Sequence, residues 1–306
     1  MNDVFVRDKK SIKSMSLTRI LLLLPMIIYG LYKNGIFLYN QGMGKFFTLT
    51  KPLIFILGSA FVGAFVNIIY EYIIKRKKEK LIDALFSSFH IEYGIILGCV
   101  ISINTNLLIY FSVLFLVLLI SKFINLRVNV IALMFIIGYL IHIFVLKEYV
   151  FMNLYESTTN LSLDMFDYFL GRGVGGIAST NVLLLVVAFI IYFITNNNKT
   201  NVTISSIVTI CLLFAIYGLA TNTSIKMLLF GHDYIFILGL IGAEFISSCY
   251  TPKGMVIFGV LTGLISFGLY FVIPVLAPYI AILIVSLFHV LIDKYSGKVS
   301  VKQLTR

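Results

Sequence analysis

Charged side chains are scarce in this sequence. Only 12% of its 306 residues are Asp, Glu, Lys or Arg, whereas 60% are hydrophobic. A soluble fold of this size would not tolerate that balance, and runs of about 20 apolar residues, long enough to cross the hydrocarbon core of a bilayer, follow one another. The short alternating segments of a membrane β-barrel are absent. The composition therefore predicts an all-α, polytopic membrane protein.

Cysteine is also scarce. The three cysteines, Cys99, Cys211 and Cys249, each lie alone in or beside an apolar run, so we expect small core residues rather than disulfides or metal ligands. No nucleophile–base triad, metal-ligand spacing or P-loop is present, so the sequence predicts neither a catalytic residue nor a metal site. The basic opening segment lacks a small-residue cleavage site, and we expect the first span to remain as an anchor.

The apolar runs predict ten transmembrane helices. The third run is interrupted by Gly94 and Gly98, and the sixth is short. The predicted spans are Thr18–Tyr39, Pro52–Ile74, Leu85–Ile103, Leu107–Ile124, Val128–Phe151, Thr180–Ile194, Val202–Leu219, Met227–Ser247, Gly254–Val272 and Pro274–Leu291.

The distribution of basic residues predicts that both termini are cytoplasmic. With that orientation, 18 of the 24 Lys and Arg residues fall on the inner side. The net charge of +11 then reflects topology and contact with anionic lipid, not nucleic-acid binding. The six basic residues left on the outer side are Lys33, Lys45, Lys51, Lys147, Arg172 and Lys226.

A short internal sequence similarity predicts two inverted five-helix repeats within one integral membrane domain, 1–306. His90-Ile-Glu92-Tyr93 in the third span resembles His232-Asp233-Tyr234 in the eighth, and each is third in its half. Because five is odd, the halves would be inverted in the membrane, which places a functional site at the repeat interface. The halves cover about 18–151 and 180–293, joined by an extracytoplasmic loop, 152–179, and followed by a cytoplasmic tail, 294–306.

The longest weakly apolar interval lies between the halves, and we expect a functional site there if the protein has one. It contains the cluster Ser157-Thr158-Thr159 and the Gly-rich turn Gly171–Gly176. Backbone N–H groups of a Gly-rich turn that opens a helix suit an anion, which makes Gly175, Gly176 and Thr180 candidate cofactor-binding residues. The alternative is an ordinary polar turn followed by glycines that only cap a helix.

Ionisable residues inside the predicted spans are candidates for an ion path, because charge in a membrane is costly. Glu92, Asp233 and Glu244 form this set. Asp233 and Glu244 are 11 residues apart, close to three turns of an α-helix, so we expect them to share a helical face. The alternative is that these groups only make hydrogen bonds between helices. For His142, a lone histidine on an apolar helix, we expect such a structural role. For His289 and Asp293 we expect a local cap or pair rather than catalysis.

Several landmarks, read in order, resemble one family of membrane proteins. The landmarks are Thr18-Arg19, Glu71-Tyr72, the stretch from Leu126 through Asn129 to Leu133, the stretch from Asp167 to Thr180, Thr251-Pro-Lys-Gly254, and Ile292-Asp293. No single motif is specific, but their order and spacing resemble those of the RnfD and NqrB family, the membrane subunits of ion-pumping, flavin-containing electron-transport complexes.

This resemblance implies a cofactor, partners and a location. In the family, a threonine on the extracytoplasmic side carries FMN through a phosphoester bond made by a flavin transferase, and Thr159, with Thr158 beside it, stands in the corresponding stretch. The implied partners are the other subunits of the complex, the transferase and membrane lipid, and the implied location is a bacterial cell membrane. Because fold does not fix function, a channel or transporter with a fold like that of urea channels, or a flavin-less scaffold, is the alternative.

Overall fold

The computed structural model describes residues 12–40, 46–76, 81–124, 128–146, 164–173, 175–195, 199–223 and 233–297. Within these ranges all regular secondary structure is helical. The helices are α1 (Ile12–Asn40), α2 (Phe46–Ile74), α3 (Leu81–Leu85), α4 (His90–Val100), α5 (Leu107–Ile124), α6 (Val130–Ile141), α7 (Met165–Phe169), α8 (Val182–Thr195), α9 (Thr200–Thr221), α10 (Tyr234–Phe236, continued by Ile237–Ile241), α11 (Pro252–Tyr270), α12 (Ala277–Leu287) and α13 (His289–Ser296).

Among the described residues, five helices are long and apolar enough to cross a membrane, namely α1, α2, α5, α9 and α11. Helices α12 and α13 make a sixth span if this pair, bent by 58°, is counted as one. Three shorter apolar helices, α4, α6 and α8, lie among them. The prediction of an all-α membrane fold is confirmed, while ten spans stays a prediction.

Among the described residues, four π-helical turns lie within or at the ends of helices, and three of them carry polar residues. Lys33 and Asn34 lie in the π-turn of α1, Glu71 in that of α2, and His142 in the π-turn that follows α6. A π-turn shifts the register of the following side chains and is common at functional sites. The fourth, Ile237–Ile241, ends α10.

Helices α1 and α8 run antiparallel beside each other. At one end the Lys33 ammonium donates to Thr180 Oγ1 at 3.1 Å, and at the other the Tyr192 hydroxyl donates to the carbonyl of Arg19 at 2.8 Å. We call the first of these the Lys33 end of the molecule. We call the second the Lys122 end, because Lys122 lies in the last turn of α5 on the same side as Arg19. The predicted topology makes the Lys122 end cytoplasmic.

Short helix α4 lies in the centre of the molecule and packs directly on α2. A Cβ atom at Gly94 would lie 2.2 Å from the carbonyl oxygen of Ser59, so only glycine permits this approach. Ten of the eleven residues of α4 are buried. Cys99 is one of them, and all three cysteines are free thiols, as the sequence predicted.

Candidate functional site

An ion pair between α1 and α4 lies at the centre of the Lys122 end. Arg19 Nη1 is 2.7 Å from Glu92 Oε1, and the two side chains are 2% and 0% exposed. Arg19 Nη2 also donates to the carbonyl of Leu240 at 3.3 Å, and the guanidinium lies 5.6 Å from the ring centroid of Phe245. A buried pair of this kind needs both members, because either charge alone in the interior is strongly unfavourable.

Glu244 lies beside this pair and is held by donors from three separate parts of the chain. The Tyr93 hydroxyl donates to Oε1, the Ser247 hydroxyl donates to Oε2, and Asn129 Nδ2 lies 3.4 Å from Oε2. Asn129 also caps the start of α6 by accepting from the Ala132 N–H at 2.9 Å. We call Arg19, Glu92, Tyr93, Glu244 and Asn129 the Arg19 cluster.

Lys199, which precedes α9, secures the segment that follows Glu244. Its ammonium donates to the carbonyls of Phe245 and Ser248, both at 2.8 Å, and lies 3.8 Å from the ring centroid of Tyr250. Burial lowers the pKa of Lys199 to about 7, against the attraction of the Glu244 carboxylate. The ammonium therefore ties α9 to the segment after Glu244.

A cavity of about 360 Å³ connects the surface of the Lys122 end with the Arg19 cluster. Lys75, whose side chain is 41% exposed, lies at its mouth, and Tyr93 and Glu244, which are 3% and 2% exposed, line its buried part. The cavity also has a polar side, formed by Ser87, Ser88, His90, Ser121 and Lys122, and an apolar side that includes Phe123, Val128, Val130 and Ile246. This arrangement gives a buried carboxylate access to water from one end.

The polar wall of this cavity is itself hydrogen-bonded. His90 contacts the Ser88 hydroxyl at 2.6 Å and the Ser121 hydroxyl at 3.1 Å. Lys122 lies 3.9 Å from Glu71 and donates to Asn67 at 3.3 Å. Because these groups satisfy one another, the wall is a fixed polar surface.

A second group, the Asp233 cluster, lies at the Lys33 end. Asp233 Oδ2 accepts from the Gly176 N–H and the Ser179 hydroxyl, both at 2.6 Å. The Lys33 ammonium binds the same segment that carries Gly176 and Ser179, because it donates to the Gly173 carbonyl at 2.9 Å and to Thr180 Oγ1 at 3.1 Å. The Asp233 cluster comprises Asp233, Lys33, Gly176, Ser179 and Thr180.

The extended segment before α8 positions this cluster. Ile177 N–H donates to the Ile101 carbonyl at 2.9 Å, and Ala178 N–H donates to the Cys99 carbonyl at 2.8 Å, so the segment pairs with the end of α4. Asn34 of α1 donates to the Ile177 carbonyl at 2.8 Å. Ile177 and Ala178 are thus held from two sides, by the end of α4 and by α1.

A model of the NQR2, RnfD, RnfE family matches residues 1–302. The chain belongs to this family. Membership, together with the apolar helices, makes the chain a multi-pass membrane protein and a subunit of a multi-subunit complex. None of the curated proteins matches it.

Two landmarks of the RnfD and NqrB resemblance meet in space. Asp293 of α13 accepts from the N–H of Tyr250 at 2.8 Å and from the N–H of Thr251 at 2.9 Å. Thr251 in turn caps α11 by accepting from the Gly254 N–H at 3.0 Å. His289 contacts the Ser286 carbonyl at 2.6 Å, which is a local role. Asp293 instead binds residues 42 and 43 positions earlier, so the predicted local pair of His289 and Asp293 is not observed.

The three carboxylates predicted for an ion path fall into two groups. Glu92 and Glu244 meet in the Arg19 cluster, whereas Asp233 lies at the opposite end of α10. The expected shared helical face of Asp233 and Glu244 is wrong, because α10 ends at Ile241 with a π-turn and Glu244 follows it in a turn. His142 bridges the Asn106 N–H and the Gly138 carbonyl, which is the structural role expected of it.

The candidate cofactor residues are only partly described. Thr158 and Thr159 lie outside the described residues. Gly176 N–H donates to Asp233 and Thr180 Oγ1 accepts from Lys33, so both groups are engaged by side chains of this chain. Gly175 lies against the same carboxylate, since a Cβ there would be 2.1 Å from Asp233 Oδ1.

Several polar residues at these sites, Tyr93 and Ser179 among them, were not identified as site residues from the sequence. Arg19, Lys33 and Lys199 were counted only as charges flanking spans, yet Arg19 is 1% exposed and Lys199 is 6% exposed. Asn129 was noted only as part of a landmark. One signal was available for Arg19 and Lys33, because each lies within an apolar run rather than in a loop.

Proposed function

We propose that this chain is the membrane-embedded, RnfD-like subunit of an electron-transport complex of the Rnf/Nqr type, and that it couples electron transfer in its partners to ion movement. The observation that carries the proposal is the family match over residues 1–302. Side chains alone cannot carry electrons, so the chain works as a subunit and not as a self-sufficient enzyme.

The proposed architecture is ten membrane segments in two inverted halves, with both termini in the cytoplasm. Support comes from antiparallel pairs between the halves. Helix α1 pairs with α8, and the start of α6 meets the end of α12 where Asn129 N–H donates to Ser286 Oγ at 3.3 Å. In the same pair, Phe135 stacks on Tyr279 with ring centroids 3.8 Å apart. Short helices α4 and α10 are the third segments of the two halves.

The proposed ion path runs from the cavity to the Arg19 cluster and on to the Asp233 cluster. Support comes from the position of Glu244, which faces the cavity and yet is buried beside Arg19 and Glu92. Ionisable residues in a membrane interior are retained where they serve an ion or proton path. Glu244 is therefore the group that exchanges with the solvent of the Lys122 end.

Covalent FMN at Thr159 is the second part of the proposal. It rests on the family and on the hydroxyl alone. The stretch that the flavin transferase recognises in the family has the pattern Asp-x-x-(Ser/Thr)-Gly-Ala-Thr-Pro, and this chain has Asn153, Glu156 and Asn160 at its Asp, Ser/Thr and Pro positions. Two candidate phosphate ligands among the described residues are already engaged, since Gly176 N–H donates to Asp233 and Thr180 Oγ1 accepts from Lys33.

Intact-mass measurement tests the flavin directly. The chain is expressed with the flavin transferase of its own organism, and we expect an FMN adduct that gives flavin fluorescence in a denaturing gel. Thr159→Ala should abolish the signal and Thr158→Ala should leave it. Asn153→Asp should raise labelling if the transferase reads the whole stretch. Absence of an adduct in every one of these proteins would leave a flavin-less membrane subunit.

Purification of the native complex tests the subunit assignment separately from the flavin. A tagged chain, extracted in mild detergent from its own organism, should elute with flavin-containing partner subunits in fixed proportion and with electron-transfer activity. Elution of the chain alone, with electron transfer in membranes unchanged after its deletion, would contradict the assignment. A missing FMN adduct would not contradict the subunit assignment. Failure of the flavin proposal can therefore be distinguished from failure of the subunit assignment.

A further inference from the structure

Hydrogen-bond donors surround the carboxylate of Glu244 in the part of the chain that the structure describes. The Tyr93 and Ser247 hydroxyls donate to its two oxygens, and Asn129 Nδ2 lies 3.4 Å from Oε2. A metal cation held in a membrane protein needs several oxygens in place of its hydration shell. A hydroxyl can turn and offer its oxygen, but an amide nitrogen cannot, so the orientation of Asn129 decides what this carboxylate can bind.

Two backbone contacts fix the orientation of the Asn129 amide. Oδ1 accepts from the Ala132 N–H at 2.9 Å as the N-cap of α6, and Nδ2 donates to the Ile241 carbonyl at 2.8 Å. A flipped amide would place nitrogen against the N–H group and oxygen against the carbonyl, and both hydrogen bonds would be lost. Nδ2 therefore faces Glu244 and Ser247, whose Oγ lies 3.2 Å from it.

Side chains also occupy the backbone carbonyls around Glu244. Helix α10 ends at Ile241, and the carbonyls at such a break are the oxygens that bind metal cations inside membrane transporters. Five of these carbonyls accept from side-chain donors: Leu240 from Arg19, Ile241 from Asn129, Glu244 from Ser248, and both Phe245 and Ser248 from Lys199. Guanidinium, amide, hydroxyl and ammonium groups of this chain thus bind the oxygens that a metal cation would need.

The charged groups near Glu244 are mostly cationic. Lys75, Lys122 and His90 line the cavity that leads to it. On the buried side, Arg19 is paired with Glu92 and binds a carbonyl before Glu244, while Lys199 binds two carbonyls after it. Among the described residues, no group of three or more His, Cys, Asp or Glu side chains is placed to hold a metal ion.

We infer that the ion taken up by Glu244 is a proton and not a metal cation, and that Asn129 determines this specificity. Transfer of a proton from water in the cavity converts the carboxylate to a neutral carboxyl group, and release of the proton to water restores the charge. Neither step needs the oxygens that Arg19, Asn129 and Lys199 occupy. The inference rests on the proposed function, since it names the ion that the proposed path carries.

Ion accumulation by the purified complex in liposomes tests the inference. Electron transfer should acidify the liposome interior to the same extent in NaCl and in Na⁺-free choline chloride, and a protonophore should abolish the acidification. Radiolabelled Na⁺ should not accumulate. Glu244→Gln should lose most of the acidification while electron transfer continues.

Thermal unfolding of the full chain in detergent tests Asn129 separately. The native chain should have the same Tm in NaCl and in choline chloride at equal ionic strength. Asn129→Asp keeps an oxygen at the N-cap of α6 and turns a second oxygen toward Glu244, so its Tm should rise by several degrees with Na⁺ until the effect saturates. Asn129→Ser keeps the cap without adding a carboxylate and should show no such rise. Asn129→Asp/Glu244→Gln should lose the response.

Two results would overturn the inference and leave the proposed function standing. One is Na⁺ accumulation that persists with a protonophore and that Glu244→Gln abolishes. The other is a saturable Na⁺ response of Tm in the native chain that Glu244→Gln removes. Both use the native chain, so they decide the inference even if Asn129→Asp does not fold.

Other results bear on Asn129 or on the proposed function. A folded Asn129→Asp whose Tm does not respond to Na⁺ would contradict the role given to Asn129. Electron transfer without accumulation of either ion, or proton accumulation that Glu244→Gln leaves unchanged, would contradict the proposed function and the inference with it.

Discussion

Arg19 of α1 and Glu92 of α4 form a buried ion pair across 73 residues of sequence, with Nη1 2.7 Å from Oε1. The pair joins the first span to the central short helix, and Glu244 lies next to it. Because the pair lies beside Glu244, a change of charge here should affect both the stability of the fold and the proposed ion path.

Removing one member of this pair should destabilise the protein more than removing both. Arg19→Met leaves Glu92 buried without its counter-charge, and breaking a buried pair in this way costs about 3–5 kcal/mol. Arg19→Met/Glu92→Gln removes both charges and should recover much of that loss. Tm in detergent, measured for the two single variants and the double variant, checks the prediction. A double variant no more stable than Arg19→Met would contradict it.

Gly176→Ala should lower stability because the added Cβ would meet the backbone of α4. At that position a Cβ would lie 2.4 Å from the carbonyl carbon and oxygen of Val100. Forcing the segment away from α4 should cost about 1–3 kcal/mol, as overpacking does. Gly138→Ala is the matched control, since a Cβ there meets nothing within 4 Å. Equal Tm for the two variants would contradict the packing described here.

The cavity should be reached by water-soluble reagents from one side of the membrane only. In a chain whose three cysteines are replaced by alanine, Ser87→Cys should react with a membrane-impermeant maleimide in inside-out vesicles but not in right-side-out vesicles. Asn222→Cys, at the end of α9, should show the opposite pattern. Labelling of both from the same side would contradict the proposed topology.

The sequence predicted some elements well because hydrophobicity alone determines them. Helix α5 begins at Leu107 and ends at Ile124 as predicted, since an uninterrupted apolar run lies between Asn106, whose side chain accepts from the Leu108 N–H at 3.0 Å, and Lys122. The prediction for the eighth span, Met227–Ser247, was too long at its C-terminal end, while its first residues, 227–232, lie outside the described residues. The helix ends at Ile241, because tertiary contacts rather than hydropathy decide where a buried helix ends.

The candidate site was predicted only in part, for a related reason. The acidic members were recognisable, because a carboxylate within an apolar run is unusual, and Glu92 and Glu244 are indeed buried. The cationic residues Arg19 and Lys33 were not recognised as site residues. They lie near the ends of a predicted span, where basic residues normally indicate topology. Partner choice depends on the packing of α1 against α4 and α8, which no local pattern encodes.

The central claim, that this subunit couples electron transfer to ion movement through its buried charges, is tested most directly at Glu244. The measurement is ion accumulation per electron transferred in vesicles containing the complex, with Glu244→Gln compared against the native chain and against Asp83→Asn, an exposed acidic residue of α3. We expect Glu244→Gln to retain the assembled complex and electron transfer but to lose most ion accumulation, while Asp83→Asn behaves as native. Native ion accumulation in Glu244→Gln would contradict the account.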